Sequence, residues 1–230
     1  MRRRKYDLYI VVFLALFTAG YFTYNHVSSE SRGVDNYSAA LEDYKASDYE
    51  KAYQEFGKVP SGSALKTPAL FRQARCATNM GKRELAVKKY NRIVHTGSKS
   101  AISPISEYNM ANLLFEMQDK NAKKYFKRII KRYPTSDYAI ASEYYLGLIE
   151  VTNPPKNQKR LAKSKDKALV HFKTYLEKAP DGRFAIKSID EINKLGLNLT
   201  NSDNLLIAKS YYANGEYEKA KSFLNKTTLA

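Results

Sequence analysis

Apolar side chains recur at intervals of three and four residues along most of the chain beyond residue 35, and polar or charged residues fill the positions between them. That spacing places the apolar groups on one face of an α-helix, so it predicts amphipathic helices. Turn residues, as at Pro60–Ser63, separate the stripes. The pattern therefore predicts helix–turn–helix units at 37–56, 67–93, 108–130, 138–176 and 206–224, with a further single helix at 182–195.

Three short sequence segments share one residue pattern. In Asp48–Phe56, Gly81–Tyr90 and Asn214–Leu224, a turn residue is followed by an alanine and, four residues later, by a large apolar side chain. The alanines of the first two phrases are 34 residues apart, which is the tetratricopeptide period, and Ala122 follows 36 residues later. We expect these alanines where two helices touch most closely. The chain is therefore predicted to be all-α, a right-handed solenoid of antiparallel helix pairs (TPR-like) over residues 35–230, and such arrays usually bind rather than catalyse.

Three further features of the sequence bear on the predicted repeat array. Residues 152–165 are basic and contain two prolines, and they lengthen one repeat by about a dozen residues, which predicts a loop on one face. That loop is either a solvated insertion or a partner-binding segment. Gly147 is expected to let two helices approach closely. No polar capping helix follows residue 224, so we expect the array to continue in a longer protein or to have its end covered by a partner.

The first residues suggest a membrane segment. Residues 1–7 form a basic tail, residues 8–24 are apolar with aromatic residues near both edges, and residues 25–34 form a polar linker. This segment of seventeen mostly apolar residues is just long enough for a spanning helix, and the positive charges place the leading end in the cytoplasm. We therefore predict a single-pass inner-membrane anchor at 8–24 with a periplasmic or extracytoplasmic solenoid. The alternative is a cleaved signal peptide.

Charge and candidate chemistry narrow the function classes. The net charge of +16 favours anionic partners, or it reflects lysines on solvated helix faces. No nucleic-acid-binding motif accompanies the charge, so nucleic acid is not expected as a partner. Cys76 is predicted to be a small buried residue, and His26, His95 and His171 have no metal-ligand spacing. We predict no catalytic residue, no cofactor and no metal site.

The order of several phrases also resembles a known family. FKRIIKRYPTSDY at Phe126–Tyr138, YYLG at Tyr144–Gly147, YLEKAPDGRFA at Tyr175–Ala185 and the segment Leu199–Tyr217 are similar to the amino-terminal α-superhelix of soluble lytic murein transglycosylases. In that family the superhelix precedes a lysozyme-like domain, which has no counterpart in this sequence, so no catalytic residue is carried over. The YPTSDY phrase also resembles envelope proteins of the outer-membrane assembly and Tol-associated families, which use such repeats for binding.

Two functional hypotheses follow. The first is a membrane-anchored, extracytoplasmic TPR-like scaffold whose groove binds a protein, a peptide or a cell-wall partner such as peptidoglycan. The second is the non-catalytic superhelical part of a lytic transglycosylase. The candidate groove residues are polar residues on first helices that the packing pattern does not require: Gln73, Asn109, Asn112 and Lys209.

Overall fold

A computed structural model describes residues 2–96, 100–152 and 154–228; for residues 2–11, 96 and 228 only the backbone is described. Within these ranges the chain forms eleven helices and no strand, which confirms the all-α prediction. The helices are α1 (Arg2–Lys45), α2 (Tyr49–Lys58), α3 (Lys66–Asn79), α4 (Arg83–Thr96), α5 (Ser103–Glu116), α6 (Ala122–Arg132), α7 (Asp137–Thr152), α8 (Gln158–Lys178), α9 (Ala185–Lys194), α10 (Asn201–Ala213) and α11 (Tyr217–Thr228). They group into two compact units, divided between Ser106 and Glu107.

Four of the turns between paired helices have one backbone design. Each contains a residue with positive φ, namely Ser47, Gly81, Gln118 and Gly215, with values between 57° and 77°. The next residue donates its backbone N–H to the carbonyl five positions earlier, as in the 2.9 Å bond from Lys82 to Ala77. This is the hydrogen bond of a Schellman C-cap, which ends one helix and reverses the chain for the next. The repeated turn accounts for the hairpin form of the pairs.

Small residues lie at the helix contacts, as the repeat predicted. The four alanines that the repeat places after its turns are all buried, namely Ala52, Ala86, Ala122 and Ala220, and Ala168 on α8 is buried as well. Gly147 on α7 lies against α8, and a Cβ atom there would be 2.5 Å from a ring carbon of Phe172. The expectation that this glycine permits a close helix contact is confirmed.

The first unit contains a correction to the predicted linker. Residues 25–34 are helical and belong to α1, which runs without interruption to Lys45. Glu30 accepts hydrogen bonds from the Ser63 hydroxyl (3.0 Å) and the Ala64 amide (2.9 Å), and Gly33 is buried against Ser63. Glu30 thus faces the turn between α2 and α3, a contact that the sequence spacing alone did not reveal.

The second unit corrects the predicted insertion loop. Only residues 153–157 separate α7 from α8, and most of the 152–165 segment lies in α8, which is 21 residues long. Pro154 and Pro155 end α7 because proline cannot continue a helix. The Asn157 side chain then accepts the Arg160 backbone N–H at 3.1 Å and caps α8. The extra residues therefore lengthen a helix instead of forming an extended loop. Asn153 lies outside the described residues.

The predicted membrane segment at 8–24 lies within α1. Among the helices of the described ranges, none is both long enough and apolar enough to cross a membrane, so the predicted span is not confirmed. The side chains of residues 8–11 lie outside the described part. From Val12 to Val27, the large apolar side chains on this helix are exposed.

Candidate functional site

An aromatic cluster forms the centre of the second unit. Tyr145 of α7 stacks on Phe126 of α6 at 5.0 Å between ring centroids, and Tyr144 stacks on Phe184 at 4.3 Å. Tyr108 of α5 makes an edge contact with Tyr145 at 6.1 Å. Tyr108, Phe126 and Tyr145 come from successive helices because each stripe places a bulky residue on the buried face, and Phe184 lies just before α9. The cluster fixes the residues that follow α8.

The turn between α8 and α9 is held against this cluster. The Tyr175 hydroxyl accepts the Phe184 backbone N–H at 3.0 Å. A Cβ atom on Gly182 would lie 2.4 Å from the Tyr175 hydroxyl oxygen and 2.8 Å from the Ala179 methyl group. Only glycine therefore fits this close approach without movement of the turn. The neighbouring residue, Arg183, is oriented by the same contacts.

Arg183 is an exposed cation with a fixed guanidinium group. Its Nη2 donates a hydrogen bond of 2.6 Å to the Tyr108 hydroxyl. The guanidinium carbon lies 4.5 Å from the Phe184 ring centroid, within the range of a cation–π contact. A guanidinium carries five N–H donors and commonly binds a carboxylate with two of them. Arg183 is thus positioned to bind an anionic group from solution.

Arg183 lines a cleft of 710 Å³, which we call the Arg183 cleft. Its walls are the start of α7 and the end of α8 with the turn that follows, and it is lined by Thr135, Ser136, Asp137, Tyr138, Ile140, Ala141, Tyr175, Ala179, Gly182 and Arg183. Asp137 supplies an exposed negative charge, and no ion pair joins it to Arg183 in the described part of the chain. The cleft therefore offers one charge of each sign beside apolar and aromatic surface.

Burial sets the protonation of the phenols near the cleft. It raises the pKa of Tyr175, and it raises the pKa of Tyr145 further, with the neighbouring Tyr108 adding to the effect. Both phenols stay protonated near neutral pH and act as neutral hydrogen-bonding groups. The arrangement is suited to holding a ligand by contact and hydrogen bonds.

The four candidate groove residues lie on three different helices, α3, α5 and α10. Gln73 belongs to the first unit and is buried; its side chain donates to the Tyr53 carbonyl at 2.8 Å and accepts from Lys89 at 2.9 Å. Helix packing therefore uses Gln73, contrary to the prediction. Asn109 and Asn112 are half-buried on α5, and Lys209 is exposed on α10. None of the four lines the Arg183 cleft.

The sequence reasoning missed two further groups. Arg183 follows α8 in a Pro-Asp-Gly-Arg turn, and the glycine beside it was the available signal of a close backbone approach. His171 has no metal-ligand spacing in the sequence, yet its Nδ1 lies 2.7 Å from the buried Glu143 carboxylate on α7. Buried Cys76 agrees with its predicted packing role, and burial raises the pKa of its thiol to about 11. No group of three or more potential metal ligands occurs in the described residues.

Comparisons with known proteins support the helical-repeat fold. The sequence profile described as tetratricopeptide repeat matches residues 68–96, 106–136 and 204–228. Among solved structures, the crystal structure of MamA protein is similar with a TM-score of 0.52 and 15% identity, covering 85% of this chain and 90% of that one. A MamA RS-1 double mutant has a TM-score of 0.52 and 11% identity, covering 86% and 93%. MamA from Desulfovibrio magneticus RS-1, residues 41 to the end, has a TM-score of 0.51 and 11% identity over the same shares.

At these identities the structural matches show the fold alone. A search of curated protein sequences finds no match. The comparisons give no support to the resemblance to lytic transglycosylases. The chain is therefore an all-helical protein with tetratricopeptide-like repeats.

Proposed function

We propose that this protein is a binding scaffold and that the Arg183 cleft holds a peptide segment of a protein partner. The observation that carries the proposal is Arg183 itself, an exposed guanidinium fixed by Tyr108 and Phe184 at the edge of an aromatic-lined cleft. Fixing the side chain in advance lowers the entropy lost when a ligand binds. A rigid cation beside apolar surface is suited to a segment that carries a carboxylate next to an apolar side chain.

The charges of the cleft refine the class of peptide. The chain has 39 basic and 23 acidic residues, a surplus that favours an acidic partner, but Asp137 lines the same cleft as Arg183. A purely acidic peptide would be repelled by Asp137. The cleft fits a segment with a carboxylate for Arg183 and a basic or amide group for Asp137, separated by an apolar residue that contacts Tyr138 or Ile140.

Peptide selection tests this proposal. The full chain is incubated with an array of peptides in which acidic, basic and apolar positions are varied systematically. We expect selection of peptides with a carboxylate and a basic group flanking an apolar residue. Arg183→Glu should reverse the preference at the first position, and Asp137→Lys at the second. Lys187→Glu changes the charge of an exposed residue on α9 by the same amount and serves as the control, with no change in preference.

Two results would contradict the cleft proposal. One is an unchanged preference in Arg183→Glu, which would place the binding site elsewhere. The other is saturable binding of the full chain to isolated peptidoglycan together with no selection among peptides, which would identify a cell-wall polymer as the partner.

We further propose that the scaffold is held at the inner membrane, with its repeats on the extracytoplasmic side. Support comes from residues 12–27 of α1, whose large apolar side chains are exposed on all sides of the helix, and from the four basic residues at 2–5. A helix that packs on protein needs one apolar stripe, whereas a helix in lipid is apolar all round. Basic residues before such a helix favour a cytoplasmic leading end.

Membrane extraction tests the anchor. The full chain, expressed in bacterial cells, should remain with the membrane pellet after alkaline carbonate washing, and protease added outside the inner membrane should digest the repeats. Leu16→Lys with Phe17→Lys should release the chain because two charges in the apolar core are costly. Recovery of the unaltered chain in the soluble fraction would contradict this proposal and would leave the cleft proposal standing.

A further inference from the structure

The first and last helix pairs have the same sequence pattern at a fixed offset of 168 residues. Four large side chains of α1 and α2 correspond in this way to four of α10 and α11: Tyr37 to Leu205, Tyr44 to Tyr212, Tyr49 to Tyr217 and Phe56 to Leu224. We call these sets the first quartet and the α10–α11 quartet. The tyrosines of each set also make the same edge contact. The ring centroids are 5.4 Å apart with an interplanar angle of 67° for Tyr44 and Tyr49, and 5.3 Å apart with an angle of 62° for Tyr212 and Tyr217.

The two quartets differ in what covers them. The first quartet belongs to a packed cluster in which Phe56 is fully buried. The members of the α10–α11 quartet are 41–67% exposed. Beyond α1, five large apolar side chains are exposed in the described residues, and four of them are this quartet; the fifth is Val170. The exposure is thus concentrated on one repeat face.

Helix α3 covers the first quartet. Ala69 and Cys76 are fully buried in the same cluster, with Leu65 and Met80 at its edge, so small residues face α2 along one stripe of α3. The guanidinium carbons of Arg72 and Arg75 lie 5.4 and 5.6 Å from the Tyr44 ring centroid.

Polar contacts complete this cover. Asn79 donates to the Tyr44 hydroxyl at 3.4 Å, and Lys82, just after α3, pairs with Glu50 at 2.7 Å. The counterpart of Glu50 is Glu218, which is exposed and has no ion pair in the described residues. The cover of the first quartet is therefore an amphipathic helix with small residues on its buried stripe and basic residues one turn apart.

We infer that the α10–α11 quartet docks a helix of another polypeptide with this same chemistry: a stripe of small residues and two arginines that lie over Tyr212. Glu218 would pair with a basic residue just beyond that helix. This site is separate from the Arg183 cleft and does not depend on the function proposed for it. The internal repeat identifies the occupant, since the chain itself shows which helix fits the pattern.

One position adjusts the fit. A Cβ atom on Gly57 would lie 2.9 Å from the Gln73 side chain of α3, and the counterpart of Gly57 is Asn225. The larger residue leaves less room there. The docked helix is therefore expected to have a small residue at the position equivalent to Gln73.

A peptide with the sequence of residues 65–80 provides the probe. It is labelled with a fluorophore, carries Gln73→Ala to suit Asn225, and is titrated with the full chain under reducing conditions while anisotropy is recorded. We expect saturable binding. Tyr212→Ala combined with Tyr217→Ala should weaken it at least tenfold, and so should Arg72→Glu with Arg75→Glu in the peptide. Val170→Ala, which removes an exposed apolar side chain from α8, should leave the affinity unchanged.

Circular dichroism and sedimentation complete the test. Both tyrosines are exposed, so the double variant should keep the helical content and melting temperature of the parent chain. Absence of peptide binding would overturn the inference, as would binding that the tyrosine variant leaves intact but Tyr44→Ala changes. Self-association of the full chain that disappears in the tyrosine variant would also overturn it, because the occupant would then be a second copy.

Discussion

The helix pairs α1–α2 and α10–α11 show what a repeat sequence determines and what it leaves to its neighbours. Both pairs turn through a residue of positive φ, Ser47 or Gly215, and both bury an alanine at the helix contact. Yet Phe56 is fully buried and its counterpart Leu224 is 43% exposed. The local sequence determines that the two helices form a hairpin. Whether the quartet side chains of that hairpin are buried depends on the presence of a neighbouring helix. Contacts within a pair and contacts between pairs can therefore be tested separately.

The largest difference in the free energy of unfolding is expected between substitutions at Phe56 and at its counterpart Leu224. Phe56→Ala should lower the free energy of unfolding by about 3–5 kcal/mol, because it removes a fully buried ring and leaves a cavity. Leu224→Ala should cost about 1 kcal/mol or less, because the side chain is already largely in water. Denaturant titration of both variants gives the two values. Equal losses would contradict the comparison, since they would mean that both positions are covered alike.

A second prediction concerns the helix contact inside each pair. Ala52→Leu and Ala220→Leu should each lower the free energy of unfolding by about 1–3 kcal/mol, because a larger side chain overpacks the contact. The same denaturant titration measures both. Similar losses of unfolding free energy would show that the two helix pairs pack internally in the same way, so that they differ only in what covers them. A neutral Ala220→Leu variant would show that α10 and α11 do not pack as α1 and α2 do.

The smallest expected effects lie in the turns. Ser47 has φ of 64° and Gly215 has φ of 77°, in the left-handed region that costs a residue with a side chain about 1–2 kcal/mol. Ser47→Gly should therefore stabilise the chain by about 0.5–1 kcal/mol after the added entropy of the unfolded glycine is subtracted. Gly215→Ser should destabilise it by a similar amount. Thermal melting of both variants should give shifts of opposite sign, and shifts of equal sign would show that the two turns differ.

The sequence predicted most of the fold because the relevant signals are local. Apolar spacing of three and four residues gave the helices, and the position of an alanine after each turn gave their contacts. The role of Gly147 was also predictable, because a glycine in the middle of an apolar helix usually marks a close approach. The sequence did not distinguish the covered quartet from the exposed one. Phe56 and Leu224 each follow the alanine of the repeated segment by four residues.

The errors arose where the outcome depends on distant residues. The segment 25–34 looked like a linker because the partners of Glu30 are Ser63 and Ala64, more than 30 positions away. Gln73 looked available because its partners are a backbone carbonyl on α2 and a lysine on α4. Arg183 went unnoticed because its partner Tyr108 is 75 residues earlier. Polar contacts of this kind have no fixed spacing along the chain.

Oxidative footprinting of the tyrosines tests most directly whether one repeat face is covered and its counterpart open. Hydroxyl radicals are applied to the full chain, with and without the residue 65–80 peptide, and oxidation at each tyrosine is measured by mass spectrometry. Our account predicts fast oxidation of Tyr212 and Tyr217 that the peptide suppresses, and slow oxidation of Tyr44 and Tyr49 that it does not change. Equal rates at the two pairs, or protection at Tyr44 and Tyr49 instead, would contradict it.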